Sequence, residues 1–179
     1  MYRKQLKQGD MEILNEIKNL HTFGFKFDIN TFQPIKNDFP KPKGGLWAIE
    51  EENVRNEDPI LELFTHQKVG FKFDLLDARI LVIEFYEDVY DLFDENENYI
   101  LDNTLNFERI AEDYDAIVIS DYAAEVLSDP FGFEEEIDFK LDDLILEGTP
   151  VIEVPYLDFG SVIVFNSDKI KNVRNLEVN

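Results

Sequence analysis

Val69-Gly-Phe-Lys-Phe-Asp-Leu75 and Arg79-Ile-Leu-Val-Ile-Glu-Phe85, joined by the short link Leu76 to Ala78, decide the fold class. Both segments read as strands. The second, with Ile80 to Ile83 at its centre, is apolar enough to lie centrally in a sheet. Downstream, Asp115-Ala-Ile-Val-Ile-Ser120 reads as another buried strand. Val151 to Val154 and Ser161 to Phe165 read as two more, separated by the turn Pro155 to Gly160. The expectation is an α+β fold: a mostly antiparallel or mixed central sheet flanked by short helices.

Upstream, three prolines at 34, 40 and 42 deprive Phe32 to Lys43 of amide donors and push the preceding residues toward extended geometry, which rules out a helix there. Gly44 and Gly45 then permit positive φ or a close backbone approach before Leu46 to Ile49 enters a strand carrying the only tryptophan, Trp47. Lys41, Lys43 and the glycine pair could also cradle an anion. Their spacing is not that of a P-loop, which favours a structural corner. Met11, Leu14, Ile17 and Leu20 recur at helical spacing after Asp10, predicting a helix that ends at Gly24. Phe25, Phe27 and Ile29 alternate with polar residues as a short strand would. Asp58-Pro59 predicts a helix ending near His66, where a histidine in the last turn suits the helix dipole. Tyr86 to Phe93, the stretch capped by Thr104 or Asn106, and Asp121 to Leu127 are expected to be helical.

The 179 residues suit one domain, 1–179, with 44% hydrophobic residues and 16 phenylalanines to build a core. With no cysteine, disulfides, thiol catalysis and cysteine-type zinc sites are excluded, and two histidines are too few for a histidine-rich metal site. Asp94, Asn96, Asn98 and Asp102 imitate a calcium loop, but Tyr99 stands where glycine is needed and Leu105 where the bidentate glutamate belongs, so no metal is expected. The amino-terminal stretch lacks a signal-peptide core, and no apolar run reaches membrane-spanning length, so the reading is a soluble cytoplasmic protein.

Charge is unevenly distributed. Residues 84–158 hold 24 Asp and Glu against Arg109 and Lys140, which accounts for the whole net charge of −22; elsewhere 15 acids meet 15 bases. Such a block repels phosphate and anionic lipid and attracts basic protein surfaces, so it should not bind nucleic acid directly. Within it, Asp129, Phe131, Phe133, Glu134, Glu135, Glu136 and Asp138 interleave aromatics with carboxylates. That pattern suits docking, with aromatics supplying area and acids selecting a basic partner, although half-buried packing gives the same alternation.

Phe32-x-Pro-Ile-Lys-Asn37, Lys41-Pro-x-Gly-Gly-Leu-Trp-Ala48, Tyr114 to Ile117 and Asp158 to Asn166 resemble motifs of an uncharacterised family of phages and mobile elements of Firmicutes. The resemblance spans roughly residues 25 to 170. Its motifs specify no reaction; it adds a mobile-element setting to the acidic block of residues 84–158, and that block carries the expectation of a protein docking on a basic nucleic-acid-binding surface of a host factor, such as a CRISPR-type defence nuclease, as an inhibitor without a cofactor. The order of elements is also similar to the ADP-ribosyltransferase superfamily. That likeness implies an NAD-consuming enzyme, with Lys41, Gly44, Gly45 and Trp47 near the cofactor, His21 at a ribose and Glu125 or Glu153 as the catalytic acid.

Overall fold

The computed structural model describes residues 12–38, 41–51, 69–92, 98–133, 135, 137, 141–155, 157 and 160–177. The expected helix ending near His66 and residues 1–11 lie outside them. An eight-stranded mixed sheet dominates, in the order β1-β5-β8-β9-β3-β2-β4-β10. Its strands are β1 (Ile13–Leu14), β2 (Ile17–Phe23), β3 (Leu46–Glu50), β4 (Val69–Leu75), β5 (Ile80–Ile83), β8 (Ala116–Ile119), β9 (Ser161–Val164) and β10 (Ile170–Glu177). A separate hairpin holds β6 (Ile100–Leu101) and β7 (Thr104–Leu105). Among the described strands, β5 and β8 run parallel and the other pairs are antiparallel. The α+β expectation is met.

The sheet curls back on itself. Strands β1 and β2 are separated by two residues, yet β1 pairs with β5 while β2 pairs with both β3 and β4. Hydrogen bonds therefore run from β5 through β8, β9, β3 and β2, and the chain of β2 leads back through Asn15 and Glu16 to β1 on β5. The enclosed side is lined by Leu20, Leu46, Ala48, Phe71, Phe73, Leu75, Ile80, Ala116, Val162 and Val164. Alternate residues of the same strands, Leu81, Ile83, Ile117, Ile119 and Ile163, face the helices. This period of two is why one residue's slip in register would be so costly.

Two parts of the amino-terminal reading are corrected. Residues 13–23 are strands, not a helix; Leu20 is fully buried between β3 and β4, so pairing on both sides overrides an apolar spacing that also suits a helix. Phe25 to Ile29 is not a strand: it leads into a single 3-10 turn, Ile29–Thr31, capped by the Asp28 side chain. The bent strand β2 is accommodated by Asp74 of β4. Its carboxylate accepts the Asn19 amide at 2.9 Å and the Asn172 side chain at 2.7 Å, and lies 3.6 Å from Arg174. Asn19 and Asn172 both have positive φ, 58° and 52°, at register shifts in β2 and β10. One buried acid thus pins irregularities in both neighbouring strands.

Burial works to raise the Asp74 carboxyl's pKa, but these hydrogen bonds and the charges of Arg174 and Lys18 outweigh it and hold it below the usual carboxylate range. A depressed folded value gives stability that is full above the unfolded value and fades as pH falls through the folded one. Asp74→Asn should therefore cost about 1–3 kcal/mol at pH 7, because an amide group would turn a donor toward donors. Urea melts should show the gap from the parent closing as pH falls below about 4, the ordinary aspartate range.

The helical side carries α1 (Asp88–Asp91), α2 (Phe107–Asp113), α3 (Asp121–Ser128) and α4 (Leu141–Glu147). Asn106 caps α2 by accepting the Arg109 amide, and the Ser120 hydroxyl caps α3 by accepting that of Ala123. Val151 to Val154 is extended but is no strand, a third correction to the sequence reading. Its backbone groups are taken up singly. The Tyr86 hydroxyl donates to the Ile152 carbonyl at 3.0 Å and accepts the Ile152 amide at 3.2 Å; Glu153 donates to the Asn103 carbonyl and Val154 to that of Leu127. Tyr86 is fully buried, and burial pushes its phenol far up. Tyr86→Phe should strand both Ile152 groups and cost about 1–3 kcal/mol, readable as a lowered denaturation midpoint at unchanged m.

Candidate functional site

Residues 32–38 and 41–47 fold as a tether on the helical side. Lys36 and Lys43 exchange backbone hydrogen bonds at 2.7 and 3.0 Å, and Gly45 donates to the Gln33 carbonyl at 2.8 Å. Ile35 is buried beneath. Asn37 reaches the start of α2, donating its side-chain amide to Asn106 Oδ1 at 2.7 Å while its own Oδ1 accepts the Glu108 amide. Lys36 meets Glu108 at 2.8 Å, a contact that with the Asn37 amide keeps the Glu108 pKa below its ordinary value.

The remaining cations of the tether are engaged locally. Lys43 pairs with Asp38, and the Lys41 ammonium stands 4.2 Å above the Trp47 ring. Trp47 is half-buried, with its indole nitrogen donating to the Gly44 carbonyl at 3.3 Å. Lys41, Gly44, Gly45 and Trp47 are thus brought together, but as a folded corner whose lysines meet an aromatic ring and a carboxylate.

The residues of the enzymatic reading are dispersed. His21 is buried in β2, its ring 6.0 Å from that of Phe23. Glu125 is exposed on α3, and Glu153 is exposed in the extended segment before β9. Among the described pockets, Glu153 lines one, and His21 and Glu125 line none. Among the described residues, no group of three or more His, Asp or Glu is placed to share a metal ion.

The acidic block supplies most of the helical side of the sheet. Some of its carboxylates hold that side together: Asp88 accepts the Glu84 and Phe85 amides, Asp113 meets Tyr99 and Arg109, and Asp115 ties Arg79 to Asn166. Others lie on its surface, among them Glu125, Asp129, Glu135, Asp142, Asp143 and Glu147. In the proposed docking segment, Phe131 is 58% exposed, whereas Phe133 packs partly against the helical core. Glu134, Glu136 and Asp138 lie outside the described residues. The segment is therefore divided between an exposed aromatic and a packed one.

Phe131 borders a feature that sequence reasoning missed, a cleft of about 960 Å³. Besides Phe131, its walls come from the tether at Asn37, Asp38 and Pro42; the β6–β7 hairpin and Phe107; Ile145 of α4; and residues between Gly148 and Pro155. Much of the lining is apolar, from Leu101, Leu105, Phe107, Ile145 and Val151. Asp38, Asp102 and Glu153 supply charge, and no lysine or arginine is among the described lining residues. The hairpin owes its shape to Asp102 and Asn103, both with positive φ (49° and 63°), the geometry of a two-residue type I′ turn. Asp-Asn between apolar residues was the available signal.

The comparisons add no relative. Against family models, curated proteins and solved structures, the chain has no match. The cleft and the acidic helical side therefore carry the functional argument alone. Among the described residues, no helix is long and apolar enough to cross a membrane.

Proposed function

We propose that this protein is a binding protein whose acidic helical side docks on a basic, nucleic-acid-binding surface of a host protein, a defence nuclease being the expected kind. One observation carries the reading: a large, mainly apolar cleft with three carboxylates and no described cation in its lining opens on the side that bears the acidic block. A nucleic-acid-binding surface is built to receive closely spaced negative charge, so surface carboxylates can occupy the places of phosphates. Long-range attraction would speed encounter and weaken with salt, while apolar contact would hold the complex once formed. The NAD-consuming alternative lacks comparable support, because His21 lies away from any described pocket and Glu153 stands in the cleft without it.

The test is a pull-down at low and at moderate salt from a bacterial lysate, followed by competition. The expected result is recovery of a basic nucleic-acid-handling protein whose labelled DNA or RNA is displaced by this protein, with an affinity that falls as salt rises. Recovery of no such protein at either salt, or recovery without displacement, would refute the reading.

A further inference from the structure

We infer that the cleft between the β6–β7 hairpin and α4 is the anchor pocket for a basic, amphipathic peptide segment of the partner, seating an apolar side chain with lysines or arginines beside it. This deepens the docking reading and rests on it. A uniformly acidic surface would recognise any basic patch, whereas the cleft adds apolar area that water leaves only when a matching side chain enters. Ile145 is 53% exposed, Leu101 45% and Phe131 58%, so three large apolar side chains stand at the opening instead of filling the core. At about 960 Å³ the space is at the upper end of small-ligand pockets and has room for several side chains of a peptide.

The charges select the occupant. Asp102 at the hairpin turn and Glu153 in the facing extended segment are both exposed, and the Glu153 amide is held by the Asn103 carbonyl at 2.9 Å. That bond joins two walls of the cleft, and Asp102 and Glu153 both belong to its lining. Asp38, paired with Lys43, adds a third acid from the tether. An acidic or neutral segment would desolvate these carboxylates without return; a segment with ammonium or guanidinium groups flanking an apolar residue would satisfy both lining and charge.

The experiment uses fluorescence anisotropy with three labelled twelve-residue peptides: one alternating leucine with lysine, one of glycine, serine and lysine with equal charge, and one alternating leucine with glutamate. The full-length protein should bind the first saturably at low salt, and roughly tenfold more tightly than the second, the size of difference an apolar anchor supplies. The third should not bind. Phe131→Ala with Ile145→Ala, both at exposed positions, should remove the preference for leucine while leaving the weaker binding of the glycine-serine-lysine peptide. Asp102→Asn with Glu153→Gln should reduce the salt dependence for the first peptide. Equal binding of both basic peptides, or a preference surviving the double alanine variant, overturns the anchor and leaves acidic docking standing. Failure of both basic peptides to bind at low salt overturns the docking reading as well.

Discussion

Gly44→Ala is expected to cost about 2–5 kcal/mol, combining left-handed strain with overpacking. Gly44 has φ of +80°, and a Cβ there would stand 2.1 Å from the Pro34 carbonyl oxygen, a backbone atom that cannot rotate away. Relief would require opening the tether where Gly45 donates to Gln33 and Lys36 pairs with Lys43. Those same bonds position Asn37 against α2 and Asp38 at the cleft. A denaturation midpoint far below the parent's is the expected readout. A variant as stable as the parent would mean that the corner is not the fixed support of the cleft wall described above.

Phe71→Ala should have the other large effect, a loss of about 3–5 kcal/mol, because a fully buried ring is removed where the sheet cannot collapse around the void. Phe71 makes ring contacts with Phe25, Phe27 and Phe73 at centroid distances of 5.7, 5.3 and 5.6 Å. Its neighbour on one side is Thr22 of β2 and on the other Asn175 of β10, so its strand is held on both sides. Phe71→Leu, which restores part of the volume, should recover a good share of the loss in the same urea titration.

Legibility in the sequence followed burial. Ile80–Ile83, Ala116–Ile119 and Ser161–Val164 are strands buried on both faces, and each appears as an unbroken apolar run that admits little else. β2 was misread because Leu14, Ile17 and Leu20 recur every third residue, and the register shift between Ile17 and Leu20 removes the strict alternation that would have marked a strand. β10, Ile-Lys-Asn-Val-Arg-Asn-Leu-Glu, escaped notice for a related reason: it is a polar edge strand with its own irregularity, so composition does not separate it from a loop. The cleft was less legible still. Asp38, Asp102 and Glu153 are each unremarkable in their own segments, and the walls are brought together by long-range hydrogen bonds such as those of Asn37 to Asn106, of Tyr86 to Ile152 and of Glu153 to Asn103. Such convergence depends on tertiary partners that local pattern does not encode.

The closed circuit of the sheet also governs how the chain must assemble. β2 and β4 lie some fifty residues apart in sequence, β5 must wait for β8 across α1, the β6–β7 hairpin and α2, and β4 is completed on its outer side by β10, about a hundred residues later. Few of these pairings can form from local contacts, and each closes a long loop before it gains stability. Folding should therefore run in the millisecond-to-second range typical of non-local β topologies, with α2 and α3 able to form earlier than the strands they cover. While β4 waits for its last neighbour, its open edge is the part of the nascent molecule most exposed to pairing with another chain, and the surplus of negative charge keeps such chains apart.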